Sequence, residues 1–224
     1  MNWEDALKNL KNQLIQINEC KILPEGSYLA GGTAVSLFLN HRISIDLDFF
    51  TPKKFNSQQF IYAMEKCFKK DIIIELIEEN TVILFISNHY KIKFSLFFYP
   101  YPLLSQVESM KINKKITSPL ASLKDIEAMK ALAITQRGSA KDFVDFFFLL
   151  KNTHHHFEDI LTFVKKKYGV ESRYEYHLRT SFVYFDDAEK EKDSIMLIKK
   201  RGQIERISDK EWKDIKHFFC EFIK

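Results

Sequence analysis

Asp46 and Asp48 have the clearest chemical use in this 224-residue chain. They flank Leu47 in Ile45-Asp46-Leu47-Asp48-Phe49-Phe50, a run whose β-branched and aromatic content reads as a strand. Strand residues two apart point to the same face, so the two carboxylates project side by side. That pairing suits a hard divalent cation, Mg²⁺ (or Mn²⁺), which takes oxygen ligands and keeps phosphate oxygens in its shell. Two such ions clamp the attacking and leaving oxygens of a phosphoryl transfer. The plainer alternative is a strand edge with exposed acids. Against it, Ile45, Leu47, Phe49 and Phe50 are all apolar, and a central strand does not carry paired acids without a reason.

Gly31 and Gly32 lie shortly before this pair, at the end of an apolar run. Glycine lets the backbone approach a ligand and present its amides. A helix starting at about Thr33 would aim its positive end at the same point, which favours a phosphate. The alternative is a tight strand-to-helix turn with no ligand. His41, Arg42 and Ser44 come just before the acids. Arg42 could hold a phosphate with its fork of donors or pair structurally with an aspartate. Ser44 shares a face with Asp46 and could bond a phosphate or support the metal ligands, and His41 reads as a helix C-terminal residue.

A second group lies in the other half. Lys130 and Arg137 are seven residues apart and share a helix face; Asp142 and Asp145, three apart, do likewise. Taken together the four could equally be an ion-pair lattice between adjacent helices.

The elements that must position these groups follow from periodicity. Trp3, Leu7, Leu10, Leu14 and Ile17 mark a helix over about residues 3–20, broken by Pro24-Glu25-Gly26. Ser27–Ala30 reads as a strand, Thr33–Asn40 as a helix, and Asn56 or Ser57 caps a helix to about Lys69. Three strand-like runs follow, Ile72–Ile77, Thr81–Ile86 and Lys91–Tyr99, most simply joined as a meander and ended by Pro100 and Pro102. From Ser122 the period becomes helical, with Gly138, Gly169 and Gly202 marking breaks. The expectation is an α+β fold: a mixed sheet flanked by helices over 1–110, then a helical bundle over 111–224.

Bulk properties narrow the classes. The net charge of +4 is a mild excess, compatible with an anionic ligand but weaker than a dedicated nucleic-acid binder shows. Much of the heavy phenylalanine content, 21 residues, reads as packing. Cys20, Cys67 and Cys220 are scattered and odd in number, which argues against a zinc site or a disulfide framework. No apolar run reaches the ~20 residues of a membrane span, and the N-terminus lacks a signal-peptide core, so a soluble cytoplasmic protein without a membrane partner is expected. The basic clusters Lys165–Lys167 and Lys199–Arg201 could hold an RNA backbone but read more simply as solvated faces.

The pattern Gly-Gly-Thr-Ala, followed by His-Arg-x-Ser-x-Asp-Leu-Asp-Phe-Phe, resembles the polymerase-β-like nucleotidyltransferase superfamily. More narrowly it resembles the AbiEii/AbiGii abortive-infection toxin family, whose members are commonly the toxin half of bacterial toxin–antitoxin pairs. The resemblance extends to Asp125-Ile126-Glu127-Ala128-Met129-Lys130, Arg137 and Lys141-Asp142-Phe143-Val144-Asp145, thus over about residues 28–150. It implies a nucleotide-phosphate turn at Gly31 and Gly32, a metal-binding pair at Asp46 and Asp48, a phosphate-reaching Lys130 and a catalytic Asp142. One departure stands out. Such enzymes usually carry a third carboxylate on a later strand, and Lys91–Phe98 contains only Ser95 as a polar uncharged residue and no acid. A serine does not deprotonate a hydroxyl unaided. The base would then come from Asp142 or Asp145, or a metal alone would acidify the hydroxyl.

The resemblance implies an Mg²⁺-dependent enzyme that moves a nucleoside monophosphate from an NTP to an RNA (tRNA) or protein hydroxyl, with an antitoxin as partner. The alternative is a module that keeps the fold and binds nucleotide or a partner without turnover.

Overall fold

Helix α1 (Trp3–Cys20) starts where the Asn2 side chain accepts from the Glu4 amide, and it buries Ala6, Leu10, Leu14 and Ile17 at helical spacing. The computed structural model describes residues 2–69, 71–88 and 90–224. They form two compact units, one of Met1–Thr33, Ser44–Tyr101 and Val107–Ala121, the other of Ala34–Ile43, Pro102–Gln106 and Ser122–Lys224.

The first unit is built on seven strands: β1 (Tyr28–Ala30), β2 (Leu47–Thr51), β3 (Ile72–Glu78), β4 (Thr81–Asn88), β5 (Tyr90–Phe98), β6 (Glu108–Lys111) and β7 (Thr117–Leu120). Their order is β3-β4-β5-β2-β1-β7-β6. β1 runs antiparallel to β2 and parallel to β7, and β2 runs parallel to β5, so the sheet is mixed. The expected meander is β3-β4-β5, antiparallel throughout, with Asn80 at φ +57° in its first turn. Helix α3 (Ser57–Phe68), capped by Asn56, packs on β3 and β4, and α1 packs on β5 and β7. The rings of Phe49 and Phe60 both lie against Phe94 in the core of this unit.

Two features differ from the sequence expectation. The division at residues 110/111 falls inside β6, and the sheet continues to Leu120. The cysteines also pair: Cys20 at the end of α1 and Cys67 on α3 form a disulfide with their Cα atoms 6.1 Å apart. Their separation of 47 residues hides this, because the contact exists only once α1 and α3 pack together.

Helix α2 (Gly31–Leu39) follows β1 without a loop. The second unit holds α4 (Leu123–Gln136), α5 (Ala140–Thr153), α6 (Phe157–Tyr168), α7 (Tyr174–Phe182), α8 (Asp186–Glu191) and α9 (Asp209–Phe222). α4 packs against α5, α6 and α7, while α5 packs against α8 and α9. Much of the phenylalanine content is spent here, with Phe146 against Phe182 and Phe219 and Phe143 against Phe219 and Trp212. This is the helical half expected from the sequence, with one addition, a hairpin of β8 (Met196–Ile198) and β9 (Ile204–Arg206). Its first strand pairs with residues 41–43: the Ile43 amide donates to the Met196 carbonyl and the Ile198 amide to the His41 carbonyl. The stretch 102–106 is pinned by fully buried Asp125, which accepts from the Leu104 and Ser105 amides and from Lys167. No helix among the described residues is long and apolar enough to cross a membrane.

Candidate functional site

In the first unit, β2 sets the acids. Leu47 and Phe49 are fully buried, while Asp46 and Asp48 stand half-buried between and beside them. That alternation matches two carboxylates on one face, although the regular strand begins only at Leu47, one residue after Asp46. Asp48 is in register with Ala30 of β1 on one side and with Ser95 of β5 on the other. Ser95, almost completely buried, therefore stands beside Asp48. Among the described residues no group of three or more His, Cys, Asp or Glu side chains is placed to hold a metal ion. The donor set is a pair of carboxylates, which is the set Mg²⁺ takes when substrate phosphates complete its octahedron.

Gly31 closes on this pair. Its φ is +70°, and a Cβ placed on it would lie 3.0 Å from Oδ2 of Asp48. Both facts demand glycine: the left-handed conformation disfavours a side chain, and the carboxylate occupies the space one would need. Gly32 does not share that conformation. Thr33 donates through Oγ1 to Oγ of Ser44 at 3.0 Å, tying the start of α2 to the residues before the acids. A Gly31→Ala variant is expected to lose about 1–2 kcal/mol of stability and to displace the Asp48 carboxylate. A lowered melting temperature with a raised Mg²⁺ requirement, neither seen in Gly32→Ala, would be the signature.

The second unit gathers the remaining candidates around two aspartates of α5. Asp145, fully buried, accepts from Nε and Nη2 of Arg42 at 2.6 and 2.8 Å, from Nε2 of His41 at 2.7 Å and from Nζ of Lys130 at 2.6 Å. Asp142, also fully buried, accepts from Lys130 at 3.0 Å, from Nε and Nη2 of Arg137 at 2.7 and 3.0 Å, and from Ser139 at 2.6 Å. Arg42 spends Nη1 on the Ile43 carbonyl, so its fork is committed within this network.

Electrostatics fix the charges. Burial alone would push Asp145 up, but Arg42 and Lys130 hold its carboxyl well below the ordinary range. Asp142 is likewise held down by Lys130 and Arg137 against its own burial. Burial would lower Lys130, but the two carboxylates offset it and raise its pKa. Burial dominates at His41 and pulls it down, so the neutral imidazole donates Nε2–H to Asp145. Two carboxylates thus bond three permanent cations, Arg42, Lys130 and Arg137.

The sequence offered Asp142 and Asp145 as sources of a catalytic base. Their burial and depressed pKa leave them little basicity, and the structure shows them as the anchors of a cation cluster. Arg42 takes the structural pairing rather than an open one. Lys130 stands between both aspartates. The sequence reading allowed that Arg42 pairs structurally with an aspartate, but it identified neither Asp145, more than 100 residues away, as that partner nor the tie from His41 to the same carboxylate.

Comparison with solved structures defines the class. The chain resembles JHP933 from Helicobacter pylori at a TM-score of 0.58 and 20% identity, covering 98% of this chain and 92% of that one. It resembles MenT4, a nucleotidyltransferase toxin of Mycobacterium tuberculosis, at 0.53 and 13%, covering 100% and 85%. It resembles the antibiotic-resistance factor ANT(2'')-Ia at 0.52 and 10%, covering 73% and 91%. At these identities the likeness is one of fold, and the fold is that of the nucleotidyltransferases. The sequence narrows it: the model of the AbiEii nucleotidyl transferase toxins of type IV toxin–antitoxin systems matches residues 18–219. This chain belongs to the AbiEii family. An uncharacterized Aquifex aeolicus protein, aq_aa25, is 34% identical over 200 residues, 88% of this chain and 86% of that protein.

Proposed function

We propose that this chain transfers a nucleoside monophosphate from an NTP to a hydroxyl of an RNA or protein acceptor, in the cytoplasm, as the toxin of a toxin–antitoxin pair. What carries the reading is the pair Asp46 and Asp48, half-buried about a fully buried Leu47 and closed upon by Gly31. Asp46 and Asp48 would hold Mg²⁺ or Mn²⁺, which supplies charge neutralisation at the phosphate oxygens when bound. Gly31 and Gly32 present backbone amides at the start of α2, where a phosphate is favoured. Thr33 and Ser44 hold that turn to the acid-bearing segment. In the other unit Arg42 orients Asp145, and Asp142 positions Lys130 rather than accepting a proton. Such a site works by alignment and charge neutralisation, the main resources of phosphoryl transfer.

A second reading rests on Ser95. With a serine beside Asp48 and no acid on β5, the fold could bind nucleotide without turning it over. One experiment separates the two. Each α-labelled NTP is incubated with the protein, Mg²⁺ and total cellular RNA or protein. Label transferred with release of pyrophosphate supports the enzyme. Mg²⁺-dependent NTP binding without pyrophosphate release, across all acceptors, supports the binding module and overturns the first reading.

A further inference from the structure

The sheet face that carries Asp48 continues as a row of aromatic rings. Phe50 follows Asp48 by two residues on β2 and so points to the same face. Phe97 of β5 is in register with Phe50, as Ser95 is with Asp48. The ring centroids of Phe50 and Phe97 lie 5.7 Å apart, those of Phe50 and Tyr99 5.0 Å, and those of Tyr99 and Tyr101 4.8 Å. The Tyr99 amide donates to the Thr51 carbonyl at 2.8 Å, which ties the row to the end of β2. The alternate residues Leu47, Phe49, Phe94 and Leu96 are fully buried on the other face. Phe50, Phe97 and Tyr99 are only half-buried, and Tyr101 is 41% exposed. All of them belong to the first unit. Large apolar groups left accessible are the informative exception to burial, and here they adjoin the acids.

Strand direction says which side of the acids the row occupies. β1 runs from Tyr28, opposite Phe50, to Ala30, opposite Asp48, and Gly31 follows. The Gly31 turn and the aromatic row therefore lie on opposite sides of Asp48. With the leaving pyrophosphate at that turn, in-line transfer brings the attacking hydroxyl from the side of Phe50. We propose that Phe50, Phe97, Tyr99 and Tyr101 form the acceptor subsite, and that it stacks unpaired bases of a single-stranded RNA. The direction of approach rests on the transferase reading above. Aromatic side chains on a sheet surface are stacking platforms, because every base offers a π face. A peptide acceptor would draw on free strand-edge hydrogen bonds or on side-chain pockets. β2 and β5 are both interior strands with neighbours on each side, and the row offers flat, uncharged rings.

The test uses the full chain and a six-nucleotide single-stranded RNA ending in 2-aminopurine, whose fluorescence falls on stacking. Titration in EDTA reads RNA binding without turnover, and a second titration reads Mg²⁺-dependent binding of a fluorescent ATP. The wild type is compared with Tyr101→Leu, a change at an exposed ring, and with Phe97→Leu/Tyr101→Leu, with circular dichroism as the check on folding. Leucine keeps an apolar side chain and removes the π face. Tyr101→Leu is expected to weaken RNA binding by about tenfold and the double variant by more, with the quenching reduced and ATP binding unchanged. Unquenched RNA with the wild type, or equal RNA binding by all three proteins, overturns the proposal. Loss of ATP binding together with RNA binding would put the donor base on the rings and overturn the acceptor assignment, and so would transfer to protein but never to RNA. Stacked RNA without nucleotidyl transfer counts against the transferase reading and leaves the stacking surface standing. Unimpaired transfer to RNA by the double variant does the reverse.

Discussion

Asp46→Asn and Asp48→Asn are each expected to lower nucleotidyl transfer by ~10³-fold or more while leaving the melting temperature close to that of the wild type. The substitution keeps side-chain volume and removes one full charge from a half-buried position, so packing around Leu47 and Phe49 is undisturbed. In the proposed enzyme a lost carboxylate would remove a ligand from a cation worth several kcal/mol of transition-state stabilisation, and ~4 kcal/mol corresponds to roughly 10³ in rate. The diagnostic measurement is activity against Mg²⁺ concentration: the midpoint should move up in both variants. Full activity with a wild-type midpoint in either variant would remove that residue from the metal site. Because the atoms nearest a Cβ at Gly31 belong to Asp48, Gly31→Ala should resemble Asp48→Asn more closely than Asp46→Asn.

Asp145→Ala is expected to cost about 3–5 kcal/mol of stability. The alanine would remove the carboxylate that Arg42, Lys130 and His41 all bond, with Arg42 and Lys130 both nearly fully buried. Uncompensated buried charge is among the most expensive defects a fold can carry. Urea unfolding of wild type and variant gives the difference directly, and a loss below 1 kcal/mol would mean that solvent reaches the cluster. Asp142→Ala should cost less, since Arg137 is largely exposed and can be hydrated.

The pH dependence has a fixed sign. The folded-state pKa values of Asp142 and Asp145 are depressed, so their contribution is fully present above the unfolded value near 3.9. It is lost as pH falls below that point toward the folded values, and the gap between wild type and Asp145→Ala should narrow there. Buried Glu127 acts the other way. Burial raises its pKa despite bonds from Thr153 and His155, so the folded state holds that proton to higher pH and loses stability as pH rises through the shifted value.

How much of this was legible in the chain depends on distance along it. The α1 stripe, the Gly31 turn, the β3-β4-β5 meander and the helices around Lys130 and Asp142 announce themselves by local period and turn chemistry. β6 and β7 do not, being short and polar, with Pro119 inside the second. The strand carrying the acids also starts two residues later than its composition suggests, at Leu47, while residues 41–43 spend their backbone bonds on β8. The β8–β9 hairpin lies in a stretch with no clear period and gains its register from that distant segment. Likewise, nothing local distinguishes an arginine that will meet an aspartate 103 residues later from one that will meet a phosphate.

The bond between Cys20 and Cys67 turns the intervening backbone into a closed ring, and Gly31, Gly32, Thr33, Ser44, Asp46 and Asp48 all lie on it. A protease that nicks the ring once linearises it without freeing a fragment: both halves of the candidate active centre stay tethered until a reductant opens the link. In oxidising surroundings the cut chain would migrate as one band, and after thiol treatment as two.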